Sequence, residues 1–124
     1  MLDHIGLAVA DVKRSKAFYE AALKPLGLGV VMEATAAQTG AEAHAGFGEV
    51  GKPFFWIGTG AKPKGGTHVA FAAETRAQVD AFFSAAGKDN GAPGLRPHYH
   101  AAYYGAFVLD PDGNNVEAVC HRPE

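Results

Sequence analysis

His4, His68 and Glu117 are the residues of this 124-residue chain whose types and spacing bear most directly on chemistry. His4 opens the segment H-I-G-L-A-V-A-D-V-K-R-S-K-A-F-Y, and His68, 64 positions on, opens H-V-A-F-A-A-E-T-R-A-Q-V-D-A-F-F. Leu7 falls on Phe71, Ala8 on Ala72, and Ala17-Phe18-Tyr19 on Ala81-Phe82-Phe83. The offset is about half the chain, so one duplicated unit accounts for the molecule, and each copy begins with a histidine. Glu117 stands in the apolar run N-N-V-E-A-V. A carboxylate there is costly unless it is paired, protonated or bound to a cation. Two neutral imidazoles and one carboxylate suit Fe(II), Mn(II), Zn(II) or Ni(II), with positions left open for substrate. The competing reading is structural: two partly buried histidines, and a glutamate paired with an arginine.

The elements that must position these residues follow from periodicity. Alternation over residues 4–9 predicts a strand with His4, Gly6 and Ala8 on one face and Ile5, Leu7 and Val9 on the other. The second copy sorts likewise, with His68, Ala70 and Ala72 opposite Val69, Phe71 and Ala73. In both, the histidine shares a face with small side chains, which leaves room for something other than protein. Asp11 is a plausible N-cap, and Phe18, Ala21, Ala22 and Leu23 recur at helical spacing until Lys24-Pro25. Strands are expected over Leu28–Met32, Phe47–Val50 and Pro53–Ile57, with an exposed loop within 34–45. Lys62–Gly66 reads as the linker between halves. The second half repeats the order: a strand over 67–73, a helix near 75–87, a long loop over Gly87–Ala102, and strands over 103–109 and 115–121. Asp110-Pro-Asp-Gly-Asn114 suits a type I turn between the last two. Within the final strand, Glu117, Val119 and His121 share a face.

Composition narrows the function classes. Net charge is −2 with both signs scattered, so neither a nucleic-acid nor an anionic-membrane footprint stands out. Apolar runs are too short to span a bilayer. The start M-L-D-H-I-G enters a strand pattern at once, without the shape of a signal peptide. The single cysteine, Cys120, excludes an internal disulfide and makes a cytoplasmic setting the default expectation. By strand parity Cys120 faces the helices as a small buried hydrophobe. The D-P-D-G-N turn lacks the ligand spacing of a calcium loop, and G-L-G at 27–29 precedes a strand, so it is no phosphate cradle.

D-H-I-G-L-A-V-A-D near the start, G-T-H-V-A-F midway and F-V-L-D-P-D-G-N-N-V-E near the end resemble the vicinal oxygen chelate superfamily. This group contains glyoxalase I, bleomycin-resistance proteins, fosfomycin-resistance enzymes and extradiol dioxygenases. The resemblance covers essentially the whole chain. It implies an α+β fold of two paired βαβββ modules, about 1–61 and 65–124 of a single 1–124 domain, whose eight strands form a cupped sheet around a cavity. It also implies a divalent transition metal held by His4, His68 and Glu117, a small-molecule substrate bound through two oxygens, and a homodimer. The implied chemistry is that of a lyase, isomerase or ring-cleaving dioxygenase. A metal-free binding protein of the bleomycin-resistance type is the alternative, and a lactoylglutathione lyase with an altered ligand set is another.

The chain departs from glyoxalase I at that enzyme's fourth ligand, a glutamate in the last strand of the first module. Laying G-K-P-F-F-W-I at 51–57 on G-N-N-V-E-A-V at 113–119 puts Phe55 on Glu117, so an aromatic replaces the carboxylate. The stretch R-P-H-Y-H-A-A-Y-Y-G, from Arg96 to Gly105, adds His98, His100, Tyr103 and Tyr104 as candidates for proton transfer or substrate orientation. Arg96 and His121 are candidate substrate contacts, and Phe47 and Phe55 candidate walls of an apolar pocket.

Overall fold

The computed structural model describes residues 2–34, 43–61, 63–64, 66–85 and 87–123. The first half contains β1 (Ile5–Val9), α1 (Val12–Leu23), β2 (Gly29–Ala34), β3 (His44–Glu49) and β4 (Lys52–Thr59). The second contains β5 (His68–Ala72), α2 (Arg76–Ala85), β6 (Lys88–Leu95), β7 (Tyr104–Leu109) and β8 (Asn115–Cys120). Both run β-α-β-β-β. The expected loop within 34–45 lies, from 35 to 42, outside the described residues, as does part of the expected linker.

Local chemistry explains the helix starts. The Asp11 carboxylate accepts from the Arg14 amide, and a short 3-10 turn over Lys24–Leu26, with Pro25 in it, ends α1. Thr75 and Gln78 form a reciprocal cap on α2: the Thr75 hydroxyl accepts from the Gln78 amide at 3.1 Å, and the Gln78 side chain accepts from the Glu74 amide at 2.7 Å.

The strands make two four-stranded sheets of the same topology, β1-β4-β3-β2 and β5-β8-β7-β6. In each, the first strand pairs parallel with the last, which leaves β1 and β5 as outer strands. The fold is α+β, and the eight strands among the described residues are divided four and four. Leu7, Val9, Phe71 and Val116 turn inward as expected, and the helices cover that face. One apolar cluster draws on both halves: the Phe55 and Phe71 rings meet edge-on at 5.1 Å, and Tyr19 packs on Phe55 at 5.0 Å.

Polar contacts lock the halves together around the D-P-D-G-N turn. Tyr19 of α1 donates its hydroxyl to Asp110 at 2.6 Å, and both residues are buried. Asp110 also accepts from the amides of Asp112 and Asn114 and from the Asn114 side chain. Asp112 reaches back to accept from the Ala10 amide and the Ser15 hydroxyl. Burial and the carboxylate beside it raise the Tyr19 pKa far above its ordinary value, so it remains a donor.

One expected loop is a strand. Residues 88–95, rich in Gly, Pro and Asn, form β6 against β7, with register shifts between Asp89 and Gly91 and between Gly91 and Gly94. β6 is the outer strand of its sheet, where proline and irregular pairing are tolerated. Arg96 caps it, donating to the Ala92 and Gly94 carbonyls at 2.9 and 2.8 Å.

Candidate functional site

The site grows from the pairing of β5 with β8. Their parallel register sets His68 opposite Asn115 and Ala70 opposite Glu117, so His68 and Glu117 lie diagonally on one face. There His68 Nε2 and Glu117 Oε1 approach to 2.8 Å. Glu117 is 1% exposed and the His68 side chain 53%, so the carboxylate is sealed in while the imidazole reaches outward. Among the described residues no lysine or arginine pairs with Glu117; its partners are His68 and the Tyr103 hydroxyl, which donates to Oε2.

Tyr103 reaches this carboxylate because Gly105 makes room. A Cβ at Gly105 would stand 3.1 Å from Tyr103 Cε1 and 3.3 Å from Glu117 Oε2. The Tyr103 ring is also fixed by neighbours: Tyr99 at 5.0 Å and His121 at 5.1 Å, the latter perpendicular. Burial above all, then the hydrogen bond to Glu117, pushes the Tyr103 hydroxyl up to about 12, so it stays protonated.

The other expected site residues divide. His121 lies beside Tyr103, and His100 approaches His121 at 5.9 Å while accepting from the Ala102 amide. His98 packs against Tyr99 with the ring centroids 4.2 Å apart and the planes tilted by 48°. These rings form a continuous array that ends on Glu117. Tyr104 points the other way: its hydroxyl donates to Asp80 on α2, a bond that raises its pKa. Strand alternation explains this, since Tyr103 and Tyr104 are successive. Arg96 spends two donors on β6 carbonyls and sits over the Phe107 ring at 5.5 Å. Phe107 in turn lies 6.2 Å from the His68 ring. Phe47 is fully buried in the core rather than in a pocket wall. Phe55 is also a core residue, with one side on the cleft described next.

A cleft of about 760 Å³ runs past β1 and β5 and is lined by His4, Ile5, Phe54, His68 and His121 among others. His4 and His68 both border it, but the expected triad does not assemble within one chain. Among the described residues no group of three His, Cys, Asp or Glu side chains is placed to hold an ion. His4 belongs to the other sheet, just before β1, and its Nδ1 lies 2.8 Å from the Asp3 carboxylate. Lys52 holds the other oxygen of Asp3 at 2.6 Å. The Lys52 hydrogen bond first, then that of His4, lowers the Asp3 pKa. Sequence reading passed over Asp3, Gly105 and Phe107. Only Asp3, adjacent to His4, carried a signal: carboxylates beside ligand imidazoles are a common arrangement.

The register also corrects the position of the missing fourth carboxylate. Gly6 pairs with Trp56 as Ala70 pairs with Glu117, so Trp56, not Phe55, is the counterpart of Glu117. Between β3 and β4, Phe47 pairs with Phe55 and Gly48 with Pro53, leaving Phe54 as an extra residue. The Trp56 ring covers Gly46, where a Cβ would stand 2.9 Å from it. The position is aromatic either way, and the first half carries no carboxylate there.

Fold and site together define a class. The family model described as Glyoxalase/Bleomycin resistance protein/Dioxygenase superfamily matches residues 1–118, and the chain belongs to that superfamily. A glyoxalase/bleomycin resistance protein from Albidiferax ferrireducens is 30% identical, with a TM-score of 0.77 and 99% of each chain covered. Glyoxalase I from Zea mays shares the fold at 21% identity and a TM-score of 0.72, with 99% of this chain covering 45% of the maize chain. A mutant of the fosfomycin resistance protein FosX from Listeria monocytogenes, complexed with Mn(II) and a dihydroxypropylphosphonic acid, aligns at 16% identity and a TM-score of 0.66, covering 99% and 93% of the two chains. No curated protein matches the chain.

Proposed function

We propose that this protein is a metal-dependent enzyme acting on a small molecule that presents two oxygens to a divalent ion. His68 and Glu117 supply two donors, and the partner subunit's His4 supplies the third across a homodimer. The observation that carries this reading is the Glu117 carboxylate. It is buried, it has no lysine or arginine partner among the described residues, and it faces an imidazole nitrogen at 2.8 Å. A proton on that nitrogen satisfies the pair in the free protein, and the same two atoms would serve as adjacent donors to a cation held beside them. The ion would act as a Lewis acid on the substrate oxygens. Asp3 favours the His4 tautomer protonated at Nδ1, which leaves Nε2 free as a donor. Tyr103 and Phe107 border the pair, and His121 and His100, farther along the same array of rings, would orient the substrate.

The test is complementation. His4→Ala and Glu117→Ala should each abolish binding of Mn(II) or Ni(II) when pure. Mixed and reassembled, the two variants should regain it, because a hybrid dimer contains one intact site. Failure of the mixture, with wild type binding about one ion per chain, refutes the shared site. A second reading, a metal-free small-molecule binder, draws support from the absence of a three-donor cluster within the described residues of one chain. It requires a melting temperature indifferent to EDTA and to added metal. Trp56 in place of a carboxylate counts against a glyoxalase I ligand set. Turnover of the methylglyoxal–glutathione hemithioacetal would reinstate it.

A further inference from the structure

The two oxygens of Glu117 are not equivalent. Oε1 faces His68, whereas Oε2 takes the Tyr103 hydroxyl. The second contact is built from several directions. Tyr99 and His121 hold the Tyr103 ring on two sides, with the His121 ring perpendicular to it. Gly105 provides the hollow in which tyrosine and carboxylate meet. Phe107, directly opposite Glu117 in the β7–β8 register, confines the carboxylate from the neighbouring strand. A carboxylate held in this way cannot swing to present both oxygens on the His68 side without breaking a hydrogen bond inside a buried site.

We infer that Tyr103 is a positioning residue that reserves Glu117 Oε2, so that Glu117 offers a single oxygen beside His68 and the centre selects small first-row ions over calcium. The inference rests on the metal-site reading above and adds the regulation of its selectivity. Calcium takes six to eight oxygens and commonly engages carboxylates through both. One carboxylate oxygen with imidazole nitrogen suits Zn, Ni, Fe or Mn. Tyr103 thus acts through Glu117 and need touch neither ion nor substrate.

The test uses Tyr103→Phe, which keeps the ring against Tyr99 and His121 and removes only the hydroxyl. In metal-free protein labelled with nitrogen-15 at histidine, long-range proton–nitrogen spectra report which ring nitrogen of His68 carries the proton. Wild type should show the Nε2–H form, donated to Glu117. The variant should show a mixture, because the released carboxylate rotates. Titration calorimetry should then give zinc affinity about tenfold or more below wild type, with the zinc-over-calcium ratio falling by a similar factor. Gly105→Ala keeps every functional group but wedges a methyl between Tyr103 and Glu117, and should move both readouts the same way. An unchanged His68 tautomer in both variants overturns the inference, as does an unchanged ion ratio. If wild type binds no ion at all, the metal-site reading fails, and the His68 spectrum alone still decides whether Tyr103 holds Glu117.

Discussion

Tyr19→Phe is the sharpest probe of how the two halves are joined. The substitution leaves the ring against Phe18, Phe47 and Phe55 and deletes only the hydroxyl that donates to Asp110 at 2.6 Å. Both groups are buried, so no water takes over the bond. Asp110 keeps three donors, the amides of Asp112 and Asn114 and the Asn114 side chain, which soften the loss. A hydrogen bond to a charged group contributes about 1.5–3 kcal/mol, which sets the expectation at about 2 kcal/mol. Unfolding entropy for a chain of 124 residues is roughly 0.26 kcal/mol/K, so Tm should fall by about 8 °C. Differential scanning calorimetry measures this directly. Asp110→Ala with and without Tyr19→Phe completes a double-mutant cycle, in which the pair should couple by more than about 1 kcal/mol. A Tm drop under about 2 °C, or no coupling, would refute the claim that this bond fastens α1 to the β7–β8 turn.

Other expectations concern the site and its supports. Glu117→Gln keeps the shape of the side chain but removes its charge; wild type should melt higher with Mn(II) than with EDTA, and the variant should show no such difference. The Tyr103 hydroxyl titrates in the folded protein at about 12, above its ordinary 10.0. The fold therefore favours the protonated form: its stabilising effect is complete below about pH 10 and is lost as pH climbs towards 12. Urea midpoints across that window should decline less steeply in Tyr103→Phe; an identical slope contradicts the assignment. Arg96→Met removes two caps on β6 carbonyls and should cost about 1–2 kcal/mol. Amide exchange should quicken in β6 while α1 stays protected, and uniform quickening would count against a local role.

Much of the architecture was legible because the signals were redundant. Strand alternation around His4 and His68, which the duplication states twice, the Asp11 cap, the Pro25 stop and the D-P-D-G-N turn each point to one conformation. The resemblance named His68 and Glu117 together, whereas their diagonal placement comes from the parallel β5–β8 register. Other features were hidden for definite reasons. β6 has loop composition, since an outer strand can be held by pairing on one side and by an arginine. Phe54 shifts the count by one, so an alignment anchored at the turn glycines puts Phe55 where Trp56 belongs. Tyr103 and Tyr104 looked alike until alternation sent one to Glu117 and the other to Asp80. Whether His4 joins His68 depends on how two sheets sit relative to each other, and no local pattern encodes that.

The indole over Gly46 makes the two halves hard to match at this position. Placing an acidic group at position 56 would empty the hollow that the ring now fills, while a larger residue at 46 would collide with the ring if installed first. Neither single step is neutral, so matching the two halves here would take both changes. The two halves are thus kept unlike by one bulky side chain and the missing one beneath it.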